Sequence, residues 1–485
     1  MKKMKKVAAF ALTGAMALSM AACGSDNKST TSTGGSDATT QAPSTSTEGG
    51  ATTEGTTSNS GSKTPRHEGS EPRTIRIGTW YDIYYDSTHK DIHDDPSVSD
   101  EELATKMWDA LKKVEEKYNV RIEYVNLTYD GVQESINTSV LAGKPDCDIY
   151  LTEPAFGIPA VANGYATNLA EVLPADADIL TNRNYLTSID INGIDGTYFM
   201  LPVGGESVPG SSYVLSFNKK MLDDAGLENP NDLYARGEWT WDKWREYLIK
   251  LTKDTDGDGV TDVYGFGSRY DWLFEYLNMS NGTAVASNQT ENLSSKEVGE
   301  TLDFIYNMYN VDHVANPWNE DDWNYNQNAY VNGEVACWFS QAWIVDSNKD
   351  ADAGLEEIWA PMPIGPSGNK ETNARKNAAS GAAYFIAKGV EDPYLVYSVF
   401  QDYKDYYGDD FELRDYVNDW WHNNALTEDN YNVMYYCGEK TGIDLWNAIG
   451  VDYQFPLLLK GEQTAAQFQE TNKQLVQTAL DNMFK

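Results

Sequence analysis

Cysteine and histidine are scarce in this chain of 485 residues, with four of the first and five of the second. No cysteine lies in a CxxC pair and no two histidines stand at HExxH spacing, so neither zinc nor thiol redox chemistry is indicated. The serine-nucleophile signature GxSxG and the phosphate-cradling P-loop are missing as well. Positive charge is in deficit: 37 basic residues face 74 acidic ones. A field of that sign repels nucleic acid and anionic lipid. Beyond the amino-terminal two dozen residues, no apolar run approaches the roughly 18 residues that a membrane helix takes.

What is present begins with an export signal. Lys2, Lys3, Lys5 and Lys6 precede an apolar run at residues 7–20, and Met20-Ala21-Ala22-Cys23 closes it with small side chains. That is the layout of a secretory leader. The cysteine directly after two alanines resembles the lipobox of bacterial lipoproteins, although Met20 stands where leucine is usual. The resemblance implies a signal peptide at residues 1–22 and acylation (palmitate among the chains) of the Cys23 sulfur. An ordinary leader with an incidental cysteine is the alternative. Residues 24–64 weigh against it: 28 of these 41 are Gly, Ser or Thr, and none is aromatic, Leu, Ile or Val. Such a segment cannot bury apolar surface and is expected to stay unfolded. As a flexible coil it spans on the order of 35–40 Å. A lipidated cysteine and a tether, together residues 23–72, would display a folded part at residues 73–485.

That folded part opens with alternation. Residues 74–78 read as a strand ending in Thr79-Trp80-Tyr81-Asp82. Ser99 and Glu102 stand at capping-box spacing, and Leu103, Met107, Leu111, Val114 and Tyr118 follow at helical period. Residues 120–124 alternate as a second strand, a helix through Ile136 and Val140 ends at Gly143, and residues 148–151 read as a buried third strand. Strand, helix, strand, helix, strand predicts a parallel α/β sheet. Ligands of such sheets sit outside the carboxyl ends of the strands. Those ends carry Trp80, Tyr81 and Asp82, and Thr152-Glu153-Pro154.

Further on, residues 196–206 are punctuated by Gly and Pro and feed an apolar strand at residues 212–217. Thr240 is a good cap for a helix bearing Trp244, Tyr247, Leu248 and Leu251, and the tryptophans at 239, 241 and 244 read as packing. Several pieces in this order resemble the family 1 extracellular solute-binding proteins of bacterial ABC importers. They are the lipobox at Cys23, the Gly143-to-Asp146 turn into Asp148-Ile149-Tyr150, and the Leu201-Pro202 to Phe217-Asn218-Lys219 segment. They continue with the Thr240–Trp244 helix start, Tyr330, Asn332, Gly333 and Ala336 with Trp343, and the Ser380-to-Ile386 run. The aromatic-rich part after about Gly408 matches no piece of the pattern.

The resemblance implies a type II, two-lobed periplasmic-binding-protein-like α/β fold with a ligand cleft between lobes joined by hinge segments. Lobe 1 would take about 73–205 and 377–415, and lobe 2 about 210–375 and 416–485. The crossings would lie near 203–213 and 374–382. It implies a carbohydrate ligand, an oligosaccharide in the first instance, an ABC permease as partner, no enzymatic activity, and a monomer outside the cytoplasm held to the membrane by its lipid alone.

Residue chemistry agrees with a sugar. A pyranose needs a ring to stack on and carboxylate or amide partners for its hydroxyls, and the chain holds 14 Trp and 31 Tyr. Trp80, Asp82, Glu153, Glu206 and Tyr213 stand at edge or hinge positions. Trp272 reads equally as a stacking surface or as core, and Trp338, alternating in an apolar run, reads as core. For Trp343 the family places a ligand-stacking tryptophan at the matching position, and Ser380 falls in its second hinge strand.

The sharpest local motif is Asp254-Thr255-Asp256-Gly257-Asp258-Gly259-Val260-Thr261-Asp262. Alternate carboxylates with a carbonyl at Val260 imitate an EF-hand loop, although the twelfth position is Gly265 and not glutamate. The expectation is a structural Ca²⁺ held by Asp254, Asp256, Asp258, Val260 and Asp262; an unmetallated acidic turn is the alternative. Two other functions share the leader, tether and acidic composition. One is a glycoside hydrolase working through two carboxylates, and the other a Ca²⁺-dependent surface adhesin.

Overall fold

The computed structural model describes residues 65–181, 193–200, 212–344, 354–377, 382–405, 425 and 427–485, apart from 97, 99, 100, 288, 320, 321, 323 and 343. Cys23, the leader and most of the tether therefore lie outside the described residues, as does Ser99 of the expected capping box. Among the described residues the strands in chain order are β1 (Arg73–Thr79), β2 (Val120–Asn126), β3 (Ile149–Thr152), β4 (Phe199–Met200), β5 (Tyr213–Asn218), β6 (Tyr264–Gly267) and β7 (Ala286–Ser287). They continue as β8 (Thr290–Glu291), β9 (Val335–Gln341), β10 (Glu357–Ala360), β11 (Lys376–Asn377), β12 (Ala383–Ile386) and β13 (Thr441–Gly442).

The alternation of Ile75 and Ile77 does what period two requires. Both point inward and are fully buried. β1 pairs in parallel with β2 from Arg73–Val120 to Thr79–Asn126, and with β3 on its other side. Parallel strands need crossovers. The helix Glu101–Tyr118 supplies the first and buries Ala110, Leu111, Val114 and Tyr118. β12 joins the same sheet antiparallel to β3 and β4, giving the order β2-β1-β3-β12-β4. The helix Pro393–Lys404, capped by the Asp392 carboxylate on the Leu395 N–H at 3.2 Å, packs beside Glu101–Tyr118.

Between β4 and β12 the chain builds a second sheet, ordered β10-β5-β9-β6. One sheet is thus made from segments on both sides of the other, and the molecule has two lobes. In the second lobe Thr240 caps the helix Trp241–Leu251, its hydroxyl accepting from the Lys243 N–H at 3.3 Å. Trp239, Trp241 and Trp244 are all core. Trp244 stacks on Phe304 with centroids 5.8 Å apart, and Trp239 and Trp241 donate their indole N–H groups to the Pro361 carbonyl and the Ser280 hydroxyl. Trp338 on β9 is 4% exposed, which is the core placement its alternation indicates. The aromatic-rich carboxyl-terminal part, which matched no family piece, closes this lobe. Trp446, Tyr453, Phe455 and Phe468 pack on one another, and a capping box at Thr464 and Gln467 starts the helix Ala465–Met483.

β6 begins only at Tyr264, because Val263 pairs back with Lys253 and closes the acidic loop. One expectation shifts in detail. The helix expected through Val140 widens partway: Tyr129–Ser135 is α-helical and Ile136–Val140 is a π turn. Cys147, Cys337 and Cys437 are buried and unpaired, and burial pushes the Cys147 and Cys437 thiols up to about 12, so they are inert.

One buried carboxylate anchors β11. Asp444 is fully buried and accepts from the backbone N–H groups of Val285, Ala286 and Trp446 at 2.8, 3.0 and 3.1 Å. Its own backbone exchanges two hydrogen bonds with the Asn377 side chain. Burial pushes its carboxyl up to about 6 despite those donors. Asp444→Ala would orphan three buried N–H groups, each costing about 1–3 kcal/mol. Urea unfolding should therefore show a loss of at least about 3 kcal/mol; a loss under about 1 kcal/mol would mean that water replaces the carboxylate.

Candidate ligand-binding site

The parallel pairing brings the carboxyl ends of β1, β2 and β3 to one edge of the first lobe, and the first-lobe candidates gather there. Trp80, the residue after β1, is half-buried, with its ring edge-on to Tyr129 at 5.9 Å and to Phe156 at 6.2 Å. Asp82 is exposed and accepts from the Asn126 amide at 2.9 Å. Glu153 follows β3 at the cap position of the helix Pro154–Ala162, and its backbone carbonyl takes the Gly157 N–H at 2.7 Å. Its side chain makes no cap. It accepts instead from the Tyr129 hydroxyl at 2.8 Å. Burial raises the Glu153 pKa, while the Tyr129 bond and the charge of Arg269 pull it down and Asp271 raises it.

Arg269 and Asp271 belong to the second lobe. β6 ends at Gly267, and Arg269 precedes the helix Tyr270–Ser280. The guanidinium donates through Nε and Nη2 to both Asp271 carboxylate oxygens, at 2.9 and 2.6 Å. Its carbon lies 5.3 Å from the Trp272 ring and 5.4 Å from the Trp318 ring, so cation–π contacts cover it from two sides. Arg269 pulls the Glu153 pKa down and Asp271 raises it, so these second-lobe charges lie within electrostatic reach of the first-lobe edge.

Tyr213, at the start of β5, is only 5% exposed. Its ring lies 4.3 Å from Tyr276, 5.4 Å from Trp272 and 5.5 Å from Phe339, and its hydroxyl accepts from the Gln341 amide at 2.9 Å. Two elements far apart in sequence, the helix Tyr270–Ser280 and β9, bury it, so it supports Trp272 and offers no open stacking face. Glu206, Trp343 and Ser380 lie outside the described residues.

Trp80, Asp82, Glu153 and Trp272 are thus placed at the facing edges. Tyr129, the Arg269–Asp271 pair and Trp318 join them without having been singled out. Tyr129 had a signal: it stands three residues past β2, at the same carboxyl edge that pointed to Trp80 and Glu153. Trp318 had none, since it sits in irregular backbone.

The acidic loop is exposed and stands apart from these groups in its chemistry. Gly257 and Gly259 adopt φ of +80° and +91°, and the Asp254 carboxylate accepts from both their N–H groups, at 2.7 and 2.8 Å. Asp254, Asp256 and Asp262 can each bring one oxygen within 4.8 Å of the others. Asp258 is not in that set; its carboxylate accepts from the Val260 N–H at 2.7 Å. Three carboxylates converge closely enough to hold a hard cation, and all four accept from N–H groups of the loop backbone.

Two α/β lobes, one formed from segments flanking the other, with aromatic rings and carboxylates at facing edges, define a two-lobed binding protein. The chain belongs to the bacterial extracellular solute-binding proteins, the family that matches residues 97–411. That family is one of extracytoplasmic binding proteins, and no helix among the described residues is long and apolar enough to cross a membrane. Among solved structures, the GacH receptor of Streptomyces glaucescens, determined unliganded and with acarbose, is similar. It has 18% identity and a TM-score of 0.55 over 85% of this chain and 99% of that one. The maltose/maltodextrin-binding domain MalE of Bdellovibrio bacteriovorus bound to maltotriose has 15% identity and a TM-score of 0.55 over 84% and 99%. UgpB of Mycobacterium tuberculosis with glycerophosphocholine has 16% identity and a TM-score of 0.56 over 86% and 100%. At such identities the likeness is one of fold. No curated protein sequence matches the chain.

The Tyr129 bond makes a local prediction. Because it favours ionised Glu153, Tyr129→Phe should raise the Glu153 pKa. Carboxyl-carbon NMR titration reads this directly, and an unchanged midpoint would show that the bond does not form in solution.

Proposed function

We propose that this protein is the lipid-anchored receptor of an ABC importer, which captures a carbohydrate, an oligosaccharide in the first instance, and delivers it to the membrane permease. The observation that carries the reading is the pairing of stacking rings with hydrogen-bonding carboxylates on both facing edges: Trp80, Tyr129 and Glu153 on one lobe, Trp272 beside Arg269–Asp271 on the other. Acarbose and maltotriose in two similar folds support the same ligand class. Glu206, Trp343 and Ser380 would complete the site from the hinge and the second lobe.

No covalent step is needed. A ligand that touches both lobes has differential affinity for the closed state and shifts the population toward it. The permease then meets a closed, loaded monomer. The anchor fits this work. The chain enters the fold where Arg66 donates to the Glu116 carbonyl and the His67 N–H to that of Tyr118, beside the amino-terminal ends of β1 and β2. A seven-residue strand is about 20 Å long, so the tether arrives about that far from the ligand edge and leaves it open. A lipidated Cys23 would keep the receptor near its permease, where local concentration substitutes for affinity. The Asp254–Asp262 loop would hold Ca²⁺ as a brace between the helix Trp241–Leu251 and β6.

Chain from Gly24 onward, screened against saccharides, should show a sugar-specific rise in melting temperature. Stabilisation is about 2.7 kcal/mol when the sugar is a hundred times above its dissociation constant. A flat screen contradicts the reading, and release of reducing ends would favour the hydrolase. Trp272→Ala and Trp343→Ala should each weaken a bound sugar by about 1 kcal/mol. Removing Ca²⁺ with EDTA should lower the melting temperature and added Ca²⁺ should restore it; indifference to both would leave an acidic turn.

A further inference from the structure

We propose that the cleft selects its ligand by charge, accepting neutral sugar units and excluding those that carry a carboxylate, sulfate or phosphate, with Glu153 as the specificity-determining residue. This deepens the sugar-binding reading and rests on it.

A site for an anionic sugar needs a cation whose donors point at the ligand. Among the described residues the cation that acts on Glu153 is Arg269, and its charge is already paired. Nε and Nη2 are bound to the two Asp271 oxygens, while Trp272 and Trp318 lie against the guanidinium. An incoming carboxylate would reach only the remaining Nη donors, and it would set a second negative charge beside an ion pair that is already neutral and part-buried, with Asp271 at 23% side-chain exposure. Arg269 is therefore a cation whose charge Asp271 already offsets.

The opposite wall adds charge of the excluding sign. Glu153 could have served its helix as a cap, yet its side chain turns away to the Tyr129 hydroxyl. The backbone carbonyl already satisfies the first turn, so the carboxylate is available to the cleft. Asp82 lies exposed on the same edge, and Asp130, also exposed, is the chain neighbour of Tyr129. Among the described residues the facing groups are therefore one paired cation and carboxylates on both lobes. Hydroxyl donors of a neutral sugar suit such acceptors. A sugar anion brought beside Glu153 in a part-buried site meets like charge, worth on the order of 10- to 100-fold in affinity. A net charge of -37 lowers the local concentration of anions further.

The test uses the chain from Gly24 onward and two matched panels. One holds neutral gluco-, xylo- and manno-oligosaccharides; the other holds the same backbones bearing a uronic acid or a sulfate. Thermal shift finds the binders and calorimetry ranks them. The best neutral binder should exceed its acidic counterpart at least ten-fold, and added salt should narrow the gap. Glu153→Gln, which keeps an acceptor for Tyr129, should also narrow it, with a melting temperature close to that of the parent. An acidic counterpart that binds equally well or better overturns charge selection. A gap unchanged in Glu153→Gln, but narrowed in Asp82→Asn, overturns the assignment to Glu153. Binding in neither panel overturns the sugar reading itself, and this proposal with it.

Discussion

Parallel pairing of β1 with β2 and β3 is the constraint on which the rest depends. Parallel strands cannot be joined by hairpins, so helices must cross the sheet faces, and every carboxyl end falls on one edge. Trp80, Asn126 and Glu153 share that edge because Ile75, Ile77, Ile122 and Ile149 bury the strands in register. The return of β12 beside β3 then locks the second lobe, inserted between β4 and β12, to the first. The edge is thereby set opposite groups that it never meets along the chain.

The two edges divide the work differently. On the first lobe the polar groups are lightly held: Asp82 by one amide, Glu153 by one phenol. They can exchange those partners for ligand hydroxyls at little cost. On the second lobe the polar groups are fixed, since Arg269 is chelated by Asp271 and flanked by two indoles. A rigid wall facing an adaptable one suits a receptor that must close on a ligand and later release it.

Much of this was legible in the residues. Alternation gave β1 and β2, helical period gave Glu101–Tyr118, and Thr240 marked its helix start. Trp338 read correctly as core from its place in an apolar run. The failures share one cause: they depend on contacts between distant segments. Tyr213 looked like a hinge-side ligand group, but Trp272, Tyr276 and Phe339 enclose it. Trp318 reaches the site through contacts with Arg269 and Tyr270, which its sequence position does not show. Asp258 looked equivalent to its neighbours, yet two positive-φ glycines leave it capping Val260 while Asp254, Asp256 and Asp262 converge.

The central claim is that a sugar works by closing one lobe on the other. Small-angle X-ray scattering of the chain from Gly24 onward, with and without the best saccharide, tests it most directly. The account predicts a fall in the radius of gyration that saturates with the binding isotherm. A sugar that binds tightly and leaves the scattering curve unchanged would contradict it.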